Sequence, residues 1–171
     1  INLIDAAATG AMNGLQMAAA IGALLLAFVA LIAMVNGVLE TGGAWVGIEQ
    51  LTLERVLGGL LQPLAWALGI PWDEAQLAGS LIGQKFILNE FVAYVTFSEV
   101  AAQLSPHSQA IVIFALCGFA NLSSIAILLG GLGAVAPGRR DDISRYGFRA
   151  LIAASLSNLM SAALAGFFLT L

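Results

Sequence analysis

Ala115-Leu-Cys-Gly-Phe-Ala-Asn-Leu-Ser-Ser-Ile125 sets an amide, two hydroxyls and an aromatic ring inside an uncharged run that extends from Ser108 to Gly138. The hydrocarbon core of a bilayer is roughly 30 Å thick and needs about 20 helical residues, so the run is long enough to cross it. Unsatisfied polar groups in lipid cost several kcal/mol each. Clustering them at mid-span, just after the helix-loosening Gly118, reads as a site for a polar ligand on a broken helix that lines a cavity. The competing reading is a packing patch, because small and hydroxyl residues let membrane helices approach closely.

Composition agrees with a membrane protein. The 171 residues are 60% hydrophobic and 9% charged, with a mean hydropathy of +0.97, whereas soluble domains average about 25% charged residues. Met17 to Val35 and Ala150 to Leu171 are two further uncharged spans. The net charge of −4 says little about partners, because the charges sit mostly in connections. A single cysteine excludes an intramolecular disulfide. The first residue is Ile1, with no charged n-region or cleavage site, so the expectation is a processed or excised piece rather than a signal peptide.

Working outward, residues 1–40 read as a short polar lead-in followed by a transmembrane helix that ends near Asn36-Gly37, a pair suited to a left-handed cap. Glu40 to Ala44 is then a loop. Residues 50–69 read as an amphipathic interfacial helix: Leu53, Val56, Leu57, Leu60, Leu61, Leu64 and Leu68 recur at helical spacing, opposite Glu54, Arg55, Gly58 and Gln62. Pro63 should bend it, and Trp45, Trp66 and Trp72 suit headgroup depth. In residues 73–104, Asp73 and Gln76 have capping-box spacing. Polar residues then interrupt the apolar pattern, which fits either one helix or two half-length helices meeting near Asn89-Glu90. Ser105-Pro106 should start the helix of residues 106–137. Asp141 or Asp142 should cap the helix of residues 141–171. Arg139, Arg140, Arg145 and Arg149 crowd the last connection, which the positive-inside rule makes cytoplasmic.

Glu90 is the sharpest single residue, since a carboxylate at membrane depth costs about 2.5–3.5 kcal/mol on insertion scales. Its bland alternative, an ion pair with Lys85, suffers from a five-residue spacing that aligns poorly on one helix. Lys85 could instead snorkel or pair elsewhere. Phe119 offers a flat face to an aromatic ligand, or is core. Gly130-Gly-Leu-Gly133 reads as the exit of a span, His107 as a loop residue and Cys117 as buried packing. No nucleophile–base pair, metal cluster or carboxylate pair can be assembled, so an enzyme is not expected.

Several motifs now stand in order: Gly83-Gln-Lys85, Asn89-Glu-Phe-Val-Ala-Tyr94, Ala115 to Ile125, Gly130-Gly-Leu-Gly133, Ala136-Pro-Gly-Arg-Arg140 and Gly147-Phe-Arg-Ala150. Together they resemble the concentrative nucleoside transporters and cover most of residues 75–150. Ile4-Asp-Ala-Ala-Ala-Thr-Gly10 and the first span resemble the segment before that family's second repeat. The resemblance implies an all-α integral membrane fold, the second half of an inverted-repeat elevator transporter. Its parts would be spanning helices, an interfacial amphipathic helix, a re-entrant hairpin over 73–104 with Asn89-Glu90 at its tip, and a partly unwound helix over 106–137.

The resemblance also implies a multi-pass protein of the cell (inner) membrane, a homotrimer, performing cation-coupled (Na+ or H+) nucleoside uptake. By motif position Glu90, Asn121 and Ser124 would hydrogen-bond the ribose and Phe119 would lie against the base, with Asn89 and Ser123 as further candidates. No cofactor and no nucleic-acid partner are expected. The family is around twice this length. Most contacts to the base and the coupling cation would come from an N-terminal half, leaving the ribose-binding half of the site here. The alternatives are a transporter or channel for another polar solute, and a non-transporting helical scaffold in which the polar residues only join helices.

Overall fold

A computed structural model describes residues 2–45, 47–48, 50–122, 124–125 and 137–170. The chain divides into two compact units, residues 1–50 and 51–171. The first unit is dominated by one helix, α1 (Leu3–Trp45), 43 residues long and so about 65 Å from end to end. This corrects the expected lead-in and the stop at Asn36-Gly37: the helix starts at Leu3 and runs on through both residues and through Glu40 to Ala44. Asn and Gly permit a cap without imposing one, and here the Thr41 hydroxyl bonds back to the Gly37 carbonyl at 2.7 Å, inside the helix.

The second unit begins with α2 (Leu53–Ala67), whose N-cap Thr52 accepts from the Arg55 N–H. Pro63 lies inside α2 without ending it. Gly69, at φ +103°, turns the chain out of the helix, as a side chain there would resist. Next comes α3 (Trp72–Ile87), which starts one residue before Asp73. Its N-cap is Pro71 with no side-chain cap, so the expected capping box does not form. The chain then breaks at Leu88-Asn89 and resumes as α4 (Glu90–Val100), followed by a 3-10 turn over Ala101–Gln103. Residues 72–100 are therefore two helices rather than one. Thr96 of α4 donates to Gln84 of α3 at 2.9 Å, and Gln84, itself buried, reaches Ser80 at 3.3 Å.

Ser105 caps α5 (Pro106–Leu116) with Pro106 in the first turn. Glu74 fixes this junction from the far end of the α3–α4 pair. Its carboxylate accepts the Ser105 backbone N–H at 3.1 and 3.2 Å and the Ser105 hydroxyl at 3.0 Å. Helix α5 stops at Leu116, and a short helical turn resumes at Leu122. The last helix, α6 (Arg140–Phe168), has Arg139 as N-cap with no side-chain cap. Asp142 is instead ion-paired with Arg139, which corrects the expected Asp141 or Asp142 cap. Within α6, Ser144–Phe168 is long and apolar enough to cross a membrane.

Close approach of backbones organises the second unit, in which α2 packs along α3 and α5 along α6. Gly58, read as part of a polar face, is buried here. A Cβ on it would lie 2.7 Å from the Gln76 carbonyl oxygen, and one on Gly79 would lie 2.8 Å from Leu61 backbone. Lipid tails are as apolar as leucine, so helices gain from dispersion and small residues rather than from leaving water. The core continues through Ala75, Ala78, Leu81 and Ile82 of α3, Ile111, Val112 and Ala115 of α5, and Leu159 and Ala162 of α6.

Candidate functional site

Two helix breaks meet at the centre of the second unit. At the first, Asn89 is extended and its side-chain oxygen accepts the Val92 N–H at 2.9 Å, capping α4. That cap puts Glu90 in the first turn of α4, where the helix N-terminus favours negative charge. At the second break, Asn121 is fully buried and caps the turn that resumes at Leu122: its Oδ1 accepts the Ser124 N–H at 2.8 Å. The Ser124 hydroxyl donates back to the Asn121 carbonyl at 2.6 Å. One bond joins the two breaks. Asn121 Nδ2 donates to Glu90 Oε2 at 2.9 Å, while Oε1 of Glu90 accepts no hydrogen bond among the described residues.

Phe119 lies on the same unwound segment and is 60% exposed. Its ring borders a cavity of about 210 Å³ shared with Ala120, Ser124 and, on α6, Gly147, Leu151 and Ala154. Of the residues the sequence singles out, Glu90, Asn121 and Ser124 thus form one hydrogen-bonded group, with Asn89 capping the helix that carries Glu90 and Phe119 on the unwound segment that leads to Asn121. Ser123 and Gly130 to Gly133 lie outside the described residues. The arrangement combines a carboxylate oxygen with free capacity, a rigid amide that orients it, and an aromatic face. Such a set can bind a polyhydroxylated ligand that also carries a flat ring.

Other expectations are revised. Of the two readings of Lys85, it pairs elsewhere and does not snorkel: it is fully buried, its Nζ donates to Asn158 Oδ1 of α6 at 2.9 Å and sits 4.7 Å from the Phe86 ring centre. Its charge also interacts with that of Glu90. Cys117 is exposed, because α5 has ended beside it, and its sulfur lies 3.2 Å from the Tyr94 hydroxyl. That hydroxyl donates to the Ile113 carbonyl at 2.9 Å. His107 belongs to the first turn of α5 rather than to a loop, with Nε2 3.1 Å from the Gly166 carbonyl oxygen. Sequence reasoning missed Asn158 and Tyr94. The one available signal was a lone amide, flanked by serines, in the uncharged last span.

Beyond the geometry, residues 1–166 match a family model described as Na+ dependent nucleoside transporter C-terminus. The uncharacterized transporter YutK of Bacillus subtilis is 56% identical over 168 residues, which cover 98% of this chain and 42% of YutK. The nucleoside permease NupC of Helicobacter pylori is 48% identical over 176 residues, covering 100% of this chain and 42% of NupC. A structure of CNTnw in an inward-facing substrate-bound state superposes with a TM-score of 0.92 at 59% identity, over 98% of this chain and 41% of that one. The chain therefore spans about two-fifths of the length of the relatives it matches. These relatives are membrane permeases, not enzymes. With the match extending through both helix breaks and the residues that join them, the chain belongs to the Na+-dependent nucleoside transporter family, as its C-terminal part.

Proposed function

We propose that this chain supplies the ribose-binding half of the site in a protein that takes up nucleosides with a coupling cation. The observation that carries the reading is the bond from Asn121 to Glu90, made where two helices are broken. Ribose presents adjacent hydroxyls, and a carboxylate with an open oxygen accepts from them. Charge-assisted bonds of this kind contribute roughly 1.5–3 kcal/mol each. Asn121 holds the carboxylate in place, Ser124 holds Asn121, and Phe119 offers its exposed face to the base. Asn89 acts at one remove, through the cap that presents Glu90, and Ser123, next to Ser124 in sequence, is a further candidate for the sugar hydroxyls. Membership of the nucleoside transporter family and similarity to the NupC nucleoside permease support nucleosides as the substrate, and the family's Na+ dependence favours Na+ over H+.

In the same reading α3 and α4 form a re-entrant hairpin. At 16 and 11 residues they are about 24 and 17 Å long, too short to span. Helix α5 with the unwound segment lies opposite, α2 lies at the interface, α1 is the scaffold helix of a homotrimer, and the N-terminal half of the transporter completes the site. The fold moves as an elevator in the cell membrane. The test is uptake by the full-length protein containing this chain, reconstituted in vesicles. Saturable uptake of uridine or adenosine that a Na+ gradient drives, and that Glu90→Gln reduces, is expected. Uptake indifferent to both would contradict the reading.

A further inference from the structure

Asn158 touches three parts of the second unit at once. Its Oδ1 accepts from Lys85 Nζ at 2.9 Å, on the last turn of α3. Its Nδ2 donates to the Phe114 carbonyl at 2.9 Å, near the end of α5. Its side chain also fills the space beside Gly118, where a Cβ would lie 2.5 Å from Asn158 Cγ and 2.6 Å from Oδ1. Among the described residues Asn158 is the one hydrogen-bond acceptor of the buried Lys85 ammonium. We propose that Asn158 is a positioning residue of the nucleoside site, clamping the end of α5 and the α3 side of the Glu90 break in one register. The inference rests on the function proposed above.

The chemistry needs an amide. The last four carbonyls of any helix lack intrahelical partners, and Phe114 is within that group for α5. A side-chain donor must therefore reach it, and the same side chain must accept from an ammonium. Aspartate accepts but cannot donate, leucine does neither, and the asparagine amide does both, from two separate atoms that face the two partners. Phe119 follows Phe114 by five positions and Asn121 by seven, so a shift of the α5 terminus is passed directly to the unwound segment. On the other side, Lys85 precedes Glu90 by five residues, across the break, and their charges interact. Freed from Asn158, the ammonium seeks another acceptor, and the Glu90 carboxylate is the anion whose charge it already feels.

The test measures uridine binding at equilibrium, by titration calorimetry on the purified full-length protein, with thermal stability followed in parallel. Asn158→Leu should weaken binding about tenfold or more. Asn158→Asp keeps the acceptor for Lys85 and loses the donor to Phe114, so it should fall between wild type and Asn158→Leu; it also serves if the leucine variant fails to fold. Combined with Asn121→Ala, Asn158→Asp should weaken binding little beyond Asn121→Ala alone, because both act through one segment. Asn158 variants within twofold of wild type, in a protein that Asn121→Ala and Glu90→Gln do impair, would overturn the positioning role and leave the site standing. Fully additive losses would likewise overturn it. Binding unmoved by Asn121→Ala and Glu90→Gln would overturn both readings.

Discussion

Asn121 and Glu90 are 31 residues apart in sequence, and the amide of one donates to the carboxylate of the other at 2.9 Å. Each belongs to a place where a helix has been interrupted. The cost of freeing backbone groups there is offset by side-chain caps, Asn89 on one side and Asn121 with Ser124 on the other. The interruption then presents what a continuous helix would hide: a carboxylate with an open oxygen at one break, and at the other an aromatic ring bordering a cavity.

Replacing Asn121 tests whether this group is only structural. Asn121→Ala removes a cap and the donor to Glu90, so it should destabilise the fold by about 1–3 kcal/mol. Nucleoside affinity should fall as well. Thermal unfolding and ligand titration on the same preparation check both. A loss of stability with unchanged affinity would favour the scaffold alternative.

Phe119 separates base from sugar. Because the ring is 60% exposed, Phe119→Ala should leave the melting temperature nearly unchanged. It should reduce affinity for nucleosides more than for free ribose, which has no base to stack. Phe119→Tyr should be tolerated. Competition binding with both ligands measures this.

Gly79 tests the packing of α2 on α3. A Cβ there would lie 2.8 and 2.9 Å from Leu61 and Gln62 backbone, which cannot rotate away as a side chain would. Gly79→Ala should cost about 1–3 kcal/mol through overpacking. The same change at Gly59, where nothing lies within 4 Å, should be neutral or mildly stabilising. Paired thermal melts of the two variants decide it.

Glu74, at the base of the α3–α4 pair, gives a pH dependence. Partial burial raises its pKa. Hydrogen bonds from Ser108 and from the Ser105 backbone and side chain, with His107 nearby, outweigh that and hold it below the ordinary 4.5. A depressed carboxyl pKa stabilises the fold above the unfolded value and loses that contribution as pH falls through the folded value. Wild type should therefore melt higher than Glu74→Gln at neutral pH, and the two should converge below about pH 4.5. Melting curves from pH 3 to 7 would show the gap close, or would contradict the assignment by showing it constant.

Much of the site was legible because capping chemistry is local. Asn89 and Ser105 lie next to the helices they start, and the polar cluster at 121–124 interrupts an apolar run where little else could explain it. What was not legible depends on partners distant in sequence. Lys85 finds Asn158 73 residues away, and no periodicity links them. Gly58 fell on a nominally polar face because glycine has no polarity of its own, and only the approach of Gln76 reveals its role. Asn36-Gly37 carries a stop signal that α1 ignores, since a signal that permits a cap yields to a helix that continues favourably on both sides.

The most direct test of the central claim is the effect of Glu90→Gln on binding of a nucleoside and of its 2′,3′-dideoxy analogue, measured side by side in the full-length protein. If Glu90 accepts from ribose hydroxyls, the substitution should weaken nucleoside binding by about 1–3 kcal/mol, roughly 5- to 150-fold. It should change binding of the dideoxy analogue far less, because there the carboxylate has no hydroxyl to lose. Equal losses for the two ligands would contradict the account and remove Glu90 from the sugar site.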